Sequence, residues 1–280
     1  MKRRSILPKK YQKTHDYIFD LHDLLANIIY SCENYELIGS EIQIKNEEDL
    51  SHIDSLEGEN LWCWLENNNY DEVIFDMMIK QVYFAVLTDL CHFIYESLTC
   101  SERGKLTVAY ALLRKPLKDN LLLLEWILSD ANDFISKFKS GNSENFAPDK
   151  ISGQRKLEII KNAERIADTG LEQYMFIYEM RYSKKDDFSF ERIWNKANHI
   201  VTTFNFYKTK SENLNFVFFD EKEHTEYWDY YYVSMPLIMY HITEVAISIL
   251  NNFQVDTSAI VEMEKNERKF KFINYVNSIK

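Results

Sequence analysis

Only six glycines and four prolines interrupt 280 residues. Tight turns rely on those residue types, because a turn needs either a positive φ or a preset one. A sandwich or barrel closed by many short hairpins is therefore hard to build from this chain, and an all-α fold is expected. With 46% of its residues apolar the chain has enough material for a large core in one or two domains, and bulk disorder is excluded.

Apolar periodicity places the helices. Tyr17, Ile18, Leu21, Leu24, Leu25, Ile28 and Ile29 recur at three- and four-residue spacing and predict an amphipathic helix over 10–30. Residues 72–98 are apolar nearly all round and predict a central helix, with Asp71 as its N-cap. A further helix over 105–129 is divided at Pro116, which lacks the backbone donor a helix interior needs. Residues 136–154 gather Ser, Gly, Asn and Pro and form a loop, and 155–182 form a helix. The next helix starts near Phe190 with Ser189 as its N-cap, and a long one covers 227–251. The aromatic segment 204–220 suits a short β-hairpin or an extended loop. The organisation expected is an N-terminal helix with an acidic extension over 1–70 and a helical bundle over 71–280, together one structural unit.

Charge is unevenly spread along a chain of net charge −11. Residues 33–76 hold thirteen Asp and Glu against Lys45 alone, whereas 101–118 hold five Lys and Arg against Glu102. Residues 192–210 carry Arg192, Lys196, Lys208 and Lys210 and no acid. Local potential acts over a Debye length of about 8–10 Å, so these patches bear on partners more than the total does. No apolar run follows the basic start, and the charge-free stretch Tyr230–Thr243 is shorter than the ~20 residues that span a bilayer. These features predict a cytoplasmic chain with no membrane partner. Cys32, Cys63, Cys91 and Cys100 show no CxxC spacing and are expected as reduced thiols.

The sharpest constellation lies in FERIWNKANHIVTT. On a continuous helix, the seven-residue step from Arg192 to His199 would leave the two side chains about 20° apart, with Asn195 and Lys196 on the same face. Such a stripe can hold a phosphate with its cations and move a proton with its imidazole. The spacing resembles the R-x(4–6)-H motif of HEPN domains, helical modules of which many are metal-independent endoribonucleases acting as dimers. The resemblance implies an HEPN-like bundle, an RNA substrate, a homodimer, Arg192 at the phosphate and His199 as general base or acid. Catalytic members usually carry a polar residue directly after the Arg, where this sequence has Ile193. The segments CSERGKLTVAYALLRKPLKDNLLLLEW (100–126), KANHIVTT (196–203) and ENLNFVF (212–218) are also similar to uncharacterised bacterial helical proteins, several of them HEPN-like. That neighbourhood implies a fold and brings no activity of its own; the HEPN resemblance implies a role in bacterial stress or phage defence.

An Arg inside AYALLRKPL must find an acid or an anion. Either Arg114 pairs with Glu125 or with an acid of the 72–98 helix, or Arg114, Lys115 and Lys118 join Arg192 and Lys196 in one basic cleft. In the second case Arg114, Lys118, Asn195 and Lys196 bind substrate. His22-Asp23 stands alone without further ligands at matching spacing, so no metal is expected, and no nucleotide-cofactor motif occurs. The run EYWDYYYV (226–233) is expected in core packing. The alternative from another class is a non-catalytic helical interaction or regulatory protein whose acidic stretch 33–76 engages a basic protein.

Overall fold

Helices meet the scarcity of turn residues throughout. The computed structural model describes residues 5–34, 39–44, 47–56, 58–217, 219–253 and 265–278. The first four residues of the basic start, and Glu36 and Glu57 of the acidic stretch, lie outside them. In order come α1 (Lys9–Asn34), α2 (Glu47–Ile53), α3 (Glu59–Asn67), α4 (Asp71–Glu102) and α5 (Leu106–Lys115). A π-helical turn (Pro116–Asn120) leads into α6 (Leu121–Ser129), α7 (Ala131–Phe138), α8 (Gly153–Ala167) and α9 (Tyr174–Tyr182). Then follow α10 (Phe190–Asn198), α11 (Glu221–Asn252) and α12 (Lys265–Ser278). Among the described residues there is no strand, so the described part of segment 204–220 is the loop and not the hairpin, with one 3-10 turn at Asn205–Tyr207.

The core is laid around α4 and α11, with α1 packed on both. Ile18, Leu25 and Ile28 on α1 are fully buried. Tyr11 donates its hydroxyl to Asp229 at 2.6 Å, and His15 lies 2.9 Å from the Tyr232 hydroxyl. Helix α1 therefore packs on the bundle. What stands apart is a small cluster of Leu65, Tyr70 and Ile74 with Trp62 and Trp64 packed against it.

The aromatic run on α11 is core, as its composition implied. Tyr110 donates to the Tyr227 carbonyl at 2.6 Å, Trp228 to the Ser101 carbonyl at 3.1 Å and Tyr83 to the Ala246 carbonyl at 2.9 Å. Each such bond contributes roughly 1 kcal/mol and meets a polar group that burial would otherwise strand. By length and composition α11 could cross a membrane, and 83% of its apolar window is buried inside the protein.

Helix boundaries follow their caps. Ser189 Oγ accepts the Glu191 N–H and starts α10 as expected. Asp71 falls in the first turn of α4, after an N-cap at Tyr70, where a carboxylate still meets the positive end of the helix. The helix expected over 155–182 is two. Asp168 and Gly170 adopt positive φ after α8, and the Glu164 carboxylate accepts from the N–H groups of Gln173 at 2.7 Å and Tyr174 at 2.8 Å, which caps α9. Asp130 likewise caps α7 by accepting from the Asp133 N–H.

Candidate functional site

Helix α10 ends one residue before His199, whose backbone is extended (φ −132°, ψ 133°). The shared face expected for Arg192 and His199 therefore does not form. The cause lies sixteen residues on. Asn215 donates its side-chain amide to the His199 carbonyl at 2.7 Å and its backbone N–H to the Ile200 carbonyl at 2.8 Å. Those carbonyls are thereby taken up outside the helix, and the β-branched run Ile200–Thr203 gives little reason to continue it.

The loop that follows is braced from within. Thr202 donates its N–H to Thr209 Oγ1 at 2.7 Å and its hydroxyl to the Tyr207 carbonyl at 2.6 Å, and the Thr209 N–H reaches the Thr202 carbonyl at 2.9 Å. Polar groups thus hold the inside of the loop while apolar ones face out. Ile200, Val201, Phe204 (42% exposed), Phe206 (50%) and Val217 are all exposed. Lys185 Nζ lies 6.0 Å from the centre of the Phe206 ring, which brings the 184–188 segment beside the loop. Lys184, Lys185, Lys208 and His199 are exposed, and among the described residues none of the three lysines forms an ion pair.

The other cations expected at the site have separate fates. Arg192 pairs with Asp187, and Lys118 Nζ lies 2.6 Å from Glu191 in a mostly buried pair that ties the π turn to α10. Asn195 turns its amide back to the Glu191 carbonyl at 2.7 Å. Lys115 pairs with Asp89 at 2.7 Å, and Arg114 is exposed on α5 and does not reach Glu125. The single basic cleft is thus not assembled: of Arg114, Lys118, Arg192, Lys196 and His199, two are neutralised by acids. Lys196 is half-buried without an ion pair among the described residues. Burial first, then Arg192 and Lys210, lower its pKa.

Compared with known proteins, the chain matches no family model, no curated protein and no solved structure.

The partner of Glu125 is a residue the sequence reading passed over. Arg181 donates Nη1 to both Glu125 oxygens at 2.7 Å and Nε to the Leu117 carbonyl at 2.6 Å. His241 Nε2 lies 2.8 Å from Glu125 Oε1, and its Nδ1 has no hydrogen-bond partner. Burial alone would push the Glu125 carboxyl up, yet the Arg181 guanidinium and then the His241 contact outweigh it and hold it below its ordinary range. All three side chains are closed to solvent, so this cluster is structural and cannot touch a ligand. The signal available was an Arg in the apolar segment MFIYEMRY, which when buried needs an acid beside it.

Among the described residues, no three His, Cys, Asp or Glu side chains gather as a metal site. His22 lies 3.1 Å from Asp23 and 3.2 Å from the Cys91 carbonyl. The four cysteines are free thiols.

Proposed function

We propose that this chain is an RNA-binding protein of HEPN-like helical type, cytoplasmic and bacterial, whose contact surface is the lobe formed by residues 184–217. The observation that carries the reading is the exposure of Phe204 and Phe206 beside Lys185 and Lys208, in a protein of net charge −11. Exposed rings offer stacking faces to unpaired bases, and unpaired lysines track the phosphates. This pairing of features is how single strands are held without sequence readout. Of the four basic residues in 192–210, Lys208 stands exposed without an ion pair among the described residues, whereas Arg192 pairs with Asp187 and Lys210 with Glu223.

In this reading His199, exposed at the root of the lobe, acts on the ribose 2′-hydroxyl and Arg192 on the phosphate, in a homodimer. Arg192 is held by Asp187 and does not share a face with His199. That geometry favours a second reading, binding without cleavage. Both are tested by incubating structured and single-stranded RNAs in EDTA with the wild type and with His199→Ala, after matching their melting temperatures. Cleavage that leaves cyclic-phosphate ends and is lost in His199→Ala assigns a nuclease; retention of RNA without cleavage assigns a binder. RNA that is neither retained nor cleaved overturns the proposal.

A further inference from the structure

Beneath the loop of the lobe, α10, residues 209–216 and α11 enclose a pocket of about 50 Å³. Lys196, Lys210, Thr209, Asn213 and Asn215 line it over the Tyr227 ring. At ~10–15 Å³ for each water this is room for a few waters or one tetrahedral oxyanion. The pocket's chemistry is lopsided. Lys196 brings three donors and a charge that burial, Arg192 and Lys210 disfavour and that Glu223 favours without forming an ion pair with it among the described residues. The one acid in its lining, Glu223, pairs at 3.8 Å with Lys210, whose side chain is 80% exposed. Asn213 accepts from the Leu214 N–H through Oδ1, which leaves its amide donors for the pocket. Asn215 and Thr209 are fixed by bonds to the His199 carbonyl and to each other, so the wall is set before any ligand arrives.

We propose that this pocket seats a terminal phosphate, the phosphomonoester at the end of an RNA strand, against Lys196 and Lys210. An oxyanion would give Lys196 the direct ion pair that Glu223 does not, through charge-assisted bonds. The lining comes from α10, the loop and α11, and a volume of about 50 Å³ takes the oxygens of a terminal phosphate more readily than a phosphodiester with its two ester arms. The inference deepens the RNA reading and takes from it the identity of the strand that carries the phosphate.

The test measures affinity for one single-stranded RNA sequence made with a 5′-phosphate, with a 3′-phosphate, or with hydroxyls at both ends. In the wild type one phosphorylated end should bind about tenfold tighter than the hydroxyl form, the effect of a charge-assisted contact or two. Lys196→Gln should abolish that ratio, and Lys210→Gln should reduce it about twofold to threefold. Lys210→Gln alters an exposed side chain and so keeps the test valid should Lys196→Gln fold poorly. In parallel, inorganic phosphate and a nucleoside monophosphate, set against chloride at equal ionic strength, should raise the melting temperature of the wild type and not that of Lys196→Gln. RNA that binds equally well with every end, with no stabilisation by phosphate, overturns the pocket and leaves the RNA reading standing. Lys196-dependent stabilisation by phosphate and monophosphate, without affinity for any RNA strand, keeps the pocket and overturns the RNA reading.

Discussion

The cluster of Glu125, Arg181 and His241 and the lobe of residues 184–217 each gather several charged or polar side chains, yet they do opposite things with them. In the cluster Arg181 gives donors to two Glu125 oxygens, to the Leu117 carbonyl and to the Tyr182 hydroxyl, and no water reaches it. In the lobe the hydrogen bonds are spent on bracing the loop from inside, while Lys184, Lys185 and Lys208 stay unpaired in solvent. The first arrangement fixes where helices sit; the second leaves charge available to something else. A polar residue in a sequence therefore says little about function until its partner is known.

The contrast can be broken by measurement, and Arg181→Met is the strongest test. It leaves Glu125 buried beside His241 alone and should cost about 3–5 kcal/mol in chemical denaturation, against no change in RNA affinity per folded molecule. A cost under ~1 kcal/mol would mean that the cluster does not hold the bundle. Glu125→Gln sharpens the same point through pH. Because the folded carboxyl is held below its ordinary value, its ionic contribution is present above the unfolded value of about 4.3 and is lost as pH falls through the lower folded value. The stability gap between wild type and Glu125→Gln should therefore narrow as the solution is acidified below pH ~4. Lys118→Met strands Glu191 between the π turn and α10 and should cost about 1–3 kcal/mol, read as a lower denaturation midpoint.

On the lobe the sign of the effects reverses. Phe204→Ala combined with Phe206→Ala should change stability by no more than ~0.5 kcal/mol while weakening single-stranded RNA by about 1–3 kcal/mol per lost stack. Lys208→Gln is the smallest effect: affinity in low salt falls slightly, and the slope of log K against log salt concentration shrinks by ~0.7.

How far the sequence revealed all this depended on distance along the chain. The three- and four-residue spacing in α1 and the Ser189 cap are local signals, and both appear in the fold. The end of α10 was not legible, because Asn215 decides it from sixteen residues away. Partner choice was equally remote. Arg114 and Arg181 each follow an apolar run, and the one that reaches Glu125 does so across helices, with the Leu117 carbonyl of the π turn as its second acceptor. The basic window 192–210 also began just after Asp187 and Glu191, the two acids that neutralise Arg192 and Lys118. Counting charge by sequence interval hid the pairing that space imposes.

In the π turn the Leu121 N–H reaches back five residues to the Pro116 carbonyl. One extra residue in a helical path offsets everything beyond it by about 100°. The turn thus acts as a phase shifter: α5 faces α4 and α10, α6 faces α8 and α11, and both lie on one continuous path. The chain can change length at little cost in the loop between α7 and α8. Between Pro116 and Asn120 it is held to a fixed count, since removing a single residue would swing Glu125 a quarter-turn away from Arg181.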